Sequence, residues 1–360
     1  MPIRVLVVDD SALMRQLLTE LLGGGQEIEV VGTAPDPIVA RAQVKALNPD
    51  VITLDIEMPR MDGLSFLEKL MALRPTPVVV VSTLTQKGTD AAVRALELGA
   101  IDCVAKPLID IRTGMTALRK ELVEKVTTAA ASRPAGRNRS DSPGKPLVFD
   151  PTLSTAGWIV AIGASTGGVE ALQELLPALP VTAPAILITQ HMPPGFTTSF
   201  ARRLNERCAM PVFEARHGQR VMPGHIYIAN GGHHLALARS GAHYVCLVHD
   251  GPPVSGHRPS VDVLFESVAG AAGRNAIGVI LTGMGQDGAS GLLSMRRAGG
   301  RTLGQDEGSC VIFGMPKAAR LLGGVESERP LSKIAAEIMA LAQGRPVAGR
   351  NDGLKVTHAG

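Results

Sequence analysis

Short apolar runs alternate with amphipathic stretches along most of this 360-residue chain, and this alternation restricts the fold more than any other feature. Near-continuous apolar strands separated by helices are typical of a parallel sheet buried on both faces. We therefore predict a doubly wound, flavodoxin-like α/β domain over residues 1–130. Its predicted strands are Ile3–Val8, Ile28–Ala34, Val51–Leu54, Val78–Val81 and Ile101–Ala105.

The same alternation resumes at Trp158 and predicts a second α/β domain, with a larger, Rossmann-like parallel sheet, over residues 156–343. The intervening residues 131–155 are rich in Pro, Gly, Ser and Arg, which predicts a flexible hinge. The polar, Gly-rich residues 344–360 predict a loose tail. The apolar runs of the second domain are Trp158–Ile162, Ala185–Thr189, Ile226–Ala229, Tyr244–Val248 and Ala276–Thr282.

Composition excludes several classes of protein. A hydrophobic fraction of 45% with 19% charged residues is typical of a folded globular chain. The net charge of +3 comes from scattered basic residues, so we expect no nucleic-acid partner. No apolar run approaches the ~20 residues that span a bilayer, and the first residues do not resemble a signal peptide. Four distant cysteines without a CxxC pair favour a cytoplasmic protein with no disulfide or zinc site.

Carboxylates follow two of the strands predicted in the first domain. Asp9 and Asp10 end the first strand and Asp55 ends the third, while Ser82 and Lys106 end the fourth and fifth. Because the carboxyl ends of parallel strands meet at one edge of a sheet, these groups should converge. Three carboxylates repel one another unless a cation neutralises them, and oxygen ligands suit Mg²⁺. We expect a phosphoryl group on one carboxylate, neutralised by Mg²⁺ and Lys106.

Asp residues after strands also serve as helix caps and turn formers. That explanation accounts for any one of them but not for five suitable groups at four strand ends. The segments VLVVDDS, DIEMPRMDG and AKP resemble the receiver domain of two-component response regulators over roughly residues 2–125. The resemblance implies that a histidine kinase phosphorylates Asp55 and that Asp9, Asp10 and the Glu57 carbonyl help to hold Mg²⁺. It also implies that Ser82 moves on phosphorylation.

A glycine-rich turn follows the first apolar run of the second domain. The segment GASTGG, residues 163–168, contains G-x-S-x-G, a strand-to-helix turn that lifts a nucleophilic serine, here Ser165, out of a sheet. The helix after it directs its N-terminal amides toward the site. Two other interpretations stay open on this motif alone: a phosphate-binding or dinucleotide-binding turn without GxGxxG spacing, and a turn with a serine cap.

Two further residues favour catalysis. His191 directly follows the strand AILITQ, and Asp287 lies just after the strand AIGVILTG. Ser165, His191 and Asp287 thus end three different parallel strands and should face one crevice as nucleophile, base and orienting carboxylate. The chain order Ser, His, Asp differs from the order of an α/β-hydrolase. The other histidines lack metal-ligand spacing, so we expect them to serve loop packing.

The segments GASTGG, QHMPPGFT, GGHH, RPSVDVLF and LTGMGQDGA together resemble the catalytic domain of the chemotaxis protein-glutamate methylesterases. The resemblance implies a serine hydrolase that removes methyl esters from glutamates of chemoreceptor cytoplasmic helices and often deamidates receptor glutamines. It implies a cytoplasmic protein recruited to membrane receptor arrays, without insertion into the membrane. It also implies that the receiver inhibits the esterase until Asp55 is phosphorylated.

As a hypothesis, His191 takes the proton of Ser165 as this residue attacks the ester, and Asp287 orients the imidazole. We expect backbone N–H groups of Thr166 and Met284, in loops that include Gly167 and Gly168, to stabilise the oxyanion. Ester hydrolysis should need no cofactor. Two alternatives are a non-catalytic signalling module that binds receptors or kinase and a receiver coupled to transcription. The intact triad argues against the first, and the lack of a basic helix-turn-helix argues against the second.

Overall fold

The computed structural model describes residues 1–58, 63–106, 111–132, 155 and 157–344. Within the first domain five strands alternate with five helices, as the sequence predicted. The strands are β1 (Ile3–Val8), β2 (Ile28–Ala34), β3 (Val51–Leu54), β4 (Val78–Ser82) and β5 (Asp102–Ala105). The helices are α1 (Ala12–Gly23), α2 (Pro37–Leu47), α3 (Gly63–Leu73), α4 (Gln86–Glu97) and α5 (Ile111–Ala131).

The five strands of the first domain form one parallel sheet in the order β2-β1-β3-β4-β5, the flavodoxin-like order. All residues of β3 and β4 are buried because helices cover both faces of the sheet. The helix starts follow from sequence, since Ser11, Asp36 and Thr85 accept hydrogen bonds from backbone N–H groups of α1, α2 and α4. The predicted flavodoxin-like fold is confirmed.

A parallel sheet of seven strands organises the second domain, also as predicted. Its order is β15-β14-β13-β6-β7-β10-β8. These strands are β6 (Ile159–Ala164), β7 (Ala185–Gln190), β8 (Val212–Glu214), β10 (Ile226–Ile228), β13 (Ala276–Ile280), β14 (Arg301–Gln305) and β15 (Ser327–Arg329). The helices are α6 (Gly168–Leu175), α7 (Phe196–Asn205), α8 (Val261–Ala272), α9 (Ala289–Arg297), α10 (Met315–Leu321) and α11 (Leu331–Ala342).

One predicted strand lies outside the large sheet. The run Tyr244–Val248 belongs to β12 (His243–His249), which pairs with β11 (His234–Ser240) and β9 (Arg220–Val221) in a separate antiparallel sheet. The prediction that this run extends the parallel sheet was therefore wrong. Only two residues, Gly241 and Ala242, separate β11 from β12, and so short a connection permits only antiparallel pairing.

The two domains contact each other directly. Helix α4 of the first domain packs against α6 and α7 of the second. Across this contact the Glu97 carboxylate accepts hydrogen bonds from Gln173 and Arg203, and Thr89 shares one with Ser199. Within the described ranges no helix is both long and apolar enough to cross a bilayer. Residues 133–154 of the predicted hinge and 345–360 of the predicted tail lie outside the described residues, as does residue 156.

Candidate active site

The sheet of the second domain has one topological switch point, between β6 and β13. From β6 the chain adds β7, β10 and β8 on one side, and later β13, β14 and β15 on the other. Helices that follow β6 and β13 lie on opposite faces, so a crevice opens between the carboxyl ends of these two strands. Ser165 directly follows β6, His191 directly follows β7, and Asp287 lies in the loop after β13.

Hydrogen bonds hold the N–H and the carbonyl group of Ser165 in place. Its N–H donates to the Thr282 carbonyl at 3.0 Å, and its own carbonyl accepts from the Gln190 side chain at 2.9 Å. Glycines permit this close packing. Gly167 has φ +77° at the cap of α6, and a Cβ on Gly283 would stand 2.8 Å from the Ser165 Cβ. The turn therefore presents Ser165 in one fixed position, half-buried in the crevice.

His191 and Asp287 are hydrogen bonded. The Nε2 of His191 lies 2.7 Å from an oxygen of the Asp287 carboxylate, and both side chains are nearly excluded from solvent. The other ring nitrogen of His191, Nδ1, is buried and has no hydrogen-bond partner in the described part of the chain. With Nε2 donating to the carboxylate, Nδ1 carries a lone pair that is free to accept a proton.

The N-terminus of α8 holds Asp287. The carboxylate accepts hydrogen bonds from the Ser260 hydroxyl at 2.8 Å and from the backbone N–H groups of Val261 (2.7 Å) and Asp262 (3.1 Å). Burial alone would raise the pKa of Asp287, but the bonds from His191, Val261 and Ser260 lower it below its usual range. The carboxylate is therefore ionised at neutral pH and can stabilise a positive imidazolium.

A second acid lies beside this carboxylate. Asp262 is buried and accepts hydrogen bonds from Gly291 N–H at 2.8 Å and from Ser255 at 3.3 Å. Burial, with the charge of Asp287 nearby, raises the pKa of Asp262. The two neighbouring acids thus have pKa values shifted in opposite directions, and as the pH falls Asp262 takes up a proton before Asp287 does.

The His257 ring lies flat against His191. The two ring centroids are 3.8 Å apart and the planes differ by 12°. Burial, with the adjacent His191, lowers the pKa of His257 to about 4, so the stacked ring is neutral at neutral pH. His257 therefore covers one face of the proposed base without adding a competing charge.

Thr166 directly follows Ser165, Met284 lies in the loop after β13, and both residues contact the first domain. The Thr166 hydroxyl donates to the Asp102 carboxylate at 2.7 Å, and the Met284 sulfur accepts from the Thr128 hydroxyl on α5. Among the described residues, no backbone carbonyl accepts from the N–H of Thr166 or Met284. These two N–H groups remain available for another acceptor.

The first domain also forms one wall of the crevice. Leu96 and residues 100–103 line the same pocket as Ser165, Gly167 and His191. Gly168, at the start of α6, is packed so closely that a Cβ would meet the Gln190 oxygen at 2.1 Å. Residues of both domains therefore line the pocket beside Ser165.

The acidic groups of the first domain do converge. Asp9, Asp10 and Asp55 each place a carboxylate oxygen within 4.8 Å of the others, with Asp9 and Asp55 buried and Asp10 exposed. Lys106 bridges Asp55 at 2.7 Å and Asp9 at 2.9 Å. Burial raises the pKa of Asp55 despite the opposing effect of Lys106. A cluster of buried and exposed carboxylate oxygens of this size fits Mg²⁺, which prefers such ligands and retains waters.

The side chains of two other residues predicted for this pocket bond α4 or the loop before it, while the Glu57 backbone stays beside Asp55. The Ser82 hydroxyl donates to the Gly88 carbonyl at 3.0 Å, in the first turn of α4. The Glu57 carboxylate accepts from Thr83, while its N–H donates to Asp55 at 3.0 Å. Ser82 is thus bonded to the helix that contacts the second domain and not to the carboxylate cluster. Residues 59–62 of the DIEMPRMDG segment lie outside the described residues.

Sequence reasoning missed several residues of the crevice, namely Asp102, Gln190, His257, Ser260 and Asp262. The last three lie in or beside the segment RPSVDVLF, which signalled a helix start, since Ser260 caps α8. Nothing in the sequence showed that this helix start would meet the end of β13. All four cysteines are free, and burial raises the pKa of Cys103, Cys208 and Cys246 to about 12, so these three thiols are protonated at neutral pH.

Comparison with known proteins agrees with both domains. A family model described as CheB methylesterase matches residues 160–338, and one described as response regulator receiver domain matches residues 5–119. The protein-glutamate methylesterase/protein-glutamine glutaminase of Escherichia coli (strain K12) is 59% identical over 338 residues, covering 94% of this chain and 96% of that protein. The protein of that description in Salmonella typhimurium shows the same identity and coverage.

A solved structure covers the second domain. The crystal structure of the Thermotoga maritima CheB methylesterase catalytic domain superposes with a TM-score of 0.51 and 38% identity, over 52% of this chain and 99% of that one. Fold and site together define a class of protein in which a response-regulator receiver is joined to a methylesterase-type α/β domain. The chain belongs to the CheB methylesterase family.

Proposed function

We propose that this chain is a phosphorylation-regulated serine hydrolase that removes methyl esters from glutamate side chains of chemoreceptors and releases methanol. The observation that carries the proposal is the His191–Asp287 hydrogen bond beside Ser165, at the switch point of the sheet. A binding platform would need no ionised, buried carboxylate held against a histidine whose second nitrogen is free.

The chemistry proceeds through an acyl-enzyme. Ser165 Oγ attacks the ester carbonyl while His191 Nδ1 takes the hydroxyl proton, and Asp287 stabilises the imidazolium that forms. The N–H groups of Thr166 and Met284 receive the oxyanion, an interaction typically worth about 3 kcal/mol per donor. The imidazolium returns its proton to the leaving methoxide as methanol. Water, deprotonated by His191, then releases the glutamate and restores Ser165.

The same steps accommodate a glutamine side chain, with ammonia replacing methanol as leaving group. The curated relatives carry both activities in their description, protein-glutamate methylesterase and protein-glutamine glutaminase. We therefore propose that the substrates are methylated glutamates and glutamines on cytoplasmic helices of chemoreceptors. The enzyme would act in the cytoplasm, recruited to membrane receptor arrays.

Phosphorylation of Asp55 by a chemotaxis histidine kinase is the proposed input signal. Asp9, Asp10 and Asp55, with the Glu57 carbonyl, would hold Mg²⁺, which supplies charge neutralisation for the phosphoryl oxygens. Lys106 already bonds Asp55 and is placed to pair with the added phosphate. Hydrolysis at Ser165 needs no cofactor in this scheme.

The receiver inhibits the esterase in this proposal. Its Leu96 and residues 100–103 line one side of the crevice. Its Asp102 and Thr128 bond Thr166 and Met284, the two residues assigned to the oxyanion. Phosphoryl-Asp55 would draw Ser82 away from Gly88 on α4 and loosen the helix that contacts the second domain. The population then shifts toward an open form.

The proposed activity is tested by replacing Ser165 with alanine. Methanol release from a methylated chemoreceptor cytoplasmic fragment should fall by at least about three orders of magnitude, because the nucleophile is lost while the fold is kept. Ser240→Ala, on an exposed end of β11, provides a matched control and should retain wild-type release. Release by the Ser165→Ala variant close to the wild-type rate would overturn the assignment.

A further inference from the structure

His234 is a buried histidine that has no role in the chemistry described above. It begins β11, one residue after the pair Gly231–Gly232, and only 1% of its surface is exposed. Both ring nitrogens are hydrogen bonded to backbone groups. Nδ1 lies 3.2 Å from the N–H of Ser260, and Nε2 lies 3.0 Å from the carbonyl oxygen of Pro252.

These two partners fix the protonation of the ring. A backbone N–H can only donate, so Nδ1 must be unprotonated, and a carbonyl can only accept, so Nε2 must carry the proton. The ring is therefore held as one neutral tautomer. A protonated ring would place an N–H against the N–H of Ser260 and break that bond. Burial, which lowers the pKa of His234, favours the same neutral form.

Ser260, whose N–H bonds His234, also bonds Asp287 through its hydroxyl. Ser260 is the N-cap of α8, and its hydroxyl donates to Asp287 at 2.8 Å while the next two N–H groups donate to the same carboxylate. Ser260 is fully buried, so its N–H has no access to water as an alternative acceptor. A continuous series of hydrogen bonds thus runs from His234 through Ser260 and Asp287 to His191.

We propose that His234 is a positioning residue that fixes the N-terminus of α8 and thereby sets the position of Asp287 against His191. This inference rests on the proposed esterase function. The exposed His243, at the other end of the β11–β12 pair, differs from His234 in that its Nδ1 bonds the Arg220 side chain and not the backbone of α8.

Two substitutions distinguish the two hydrogen bonds of the ring. His234→Asn keeps an acceptor near the position of Nδ1 and can still bond the Ser260 N–H, whereas His234→Gln keeps only a donor near the position of Nε2. Methanol release is measured on the intact chain with a phosphodonor and Mg²⁺, for both variants and for the control His243→Gln. We expect kcat of the Gln variant to be about ten- to a hundredfold below that of the Asn variant. KM should stay within about twofold, because no substrate contact changes.

A second readout does not depend on activity. The proton shared by His191 and Asp287 should give a downfield NMR signal in the wild type that persists in His234→Asn and shifts or broadens in His234→Gln. Nitrogen spectra of the wild type should show an unprotonated Nδ1 on His234, which tests the assigned tautomer even if a variant fails to fold.

The outcomes separate the two proposals. Equal kcat values for the Asn and Gln variants, an unchanged downfield signal in the Gln variant, or a protonated Nδ1 in the wild type would overturn the role of His234 and leave the esterase intact. A wild-type protein that released no methanol would instead overturn the proposed function, and the NMR signals would still decide whether His234 positions Asp287.

Discussion

At the scale of single residues, four hydrogen-bond donors surround the buried carboxylate of Asp287. Its two oxygens accept from His191, Ser260, Val261 and Asp262, all within 3.1 Å. Four donors around one buried carboxylate leave no place for a neutral side chain that itself donates. Negative charge is therefore the property that this position requires.

We predict that Asp287→Asn lowers kcat for methanol release by about three to four orders of magnitude. In either orientation the amide group turns a donor toward another donor, and it no longer favours a proton on His191 Nε2. KM and kcat are measured together with the thermal midpoint, so that unfolding is not mistaken for lost chemistry. A variant within about tenfold of wild type would show that Asp287 does not orient the base.

The lowered pKa of His257 leads to a prediction about how the free energy of unfolding depends on pH. Its pKa of about 4 in the folded state lies below the 6.5 of an exposed histidine, so the unfolded chain binds the extra proton more readily. The stability that neutral His257 contributes is therefore fully present above pH 6.5 and is lost as the pH falls toward 4. His257→Phe, which keeps a ring against His191, should remove about 1 to 3 kcal/mol of this acid destabilisation.

The single tryptophan, Trp158, precedes β6 and reports unfolding of the second domain by fluorescence. Urea midpoints at pH 7.5 and pH 4.5 give the comparison, with the exposed His243→Gln as the control that should behave as wild type. If His257→Phe lost as much stability between the two pH values as wild type does, the buried neutral state of His257 would be contradicted.

Sequence alone located Ser165, His191 and Asp287 because each follows a strand, and strand ends of a parallel sheet share an edge. It could not locate Ser260, Asp262 or His257, since these reach the crevice from a helix start and a loop on the far side of an antiparallel hairpin. Their approach depends on how α8 packs against the sheet. Asp102 was missed for a related reason: it belongs to the other domain.

At the scale of elements, α4 of the receiver packs against two helices of the second domain, α6 and α7. Glu97 near its C-terminus is 93% buried as a side chain and accepts from both Arg203 and Gln173 of the second domain. Its N-terminal turn carries Gly88, whose carbonyl accepts from Ser82. One helix thus bonds Ser82 at the end of β4 through its first turn and packs against the second domain through other residues.

We predict that Glu97→Ala raises basal methanol release in the absence of phosphodonor. Charged hydrogen bonds of this kind are worth at least about 1 kcal/mol, and that loss would shift a closed–open equilibrium roughly fivefold. Glu20→Ala, on α1 and bonded only within that helix, is the matched control and should leave basal release unchanged. Unaltered release by Glu97→Ala would show that α4 does not restrain the esterase.

The elements themselves followed from sequence where apolar runs were continuous, as in β1, β3, β6 and β7. The short edge strands β8 and β15 have three residues each and carry no comparable run, so they were not predicted. Tyr244–Val248 was assigned to the wrong sheet because an apolar run does not reveal which neighbour it pairs with. The tight connection to β11 decided that pairing.

At the scale of the whole molecule, the receiver lines one side of the crevice and bonds the two residues assigned to the oxyanion. Removing residues 1–145 should therefore raise basal methanol release, since the wall formed by residues 100–103 is lost. The solved catalytic domain of the Thermotoga maritima relative indicates that such a domain folds alone. A truncated chain no more active than the intact one would refute inhibition by the receiver.

In our account, phosphorylation of Asp55 controls hydrolysis at Ser165, and one measurement tests the hydrolysis and its control together. Methanol release from a methylated chemoreceptor fragment is followed for the intact chain with Mg²⁺, before and after addition of a small phosphodonor, with Asp55→Asn in parallel. Our account predicts a rise on phosphodonor addition in the wild type and none in Asp55→Asn. Release that is absent in the wild type, or that stays the same with and without the phosphodonor, would contradict it.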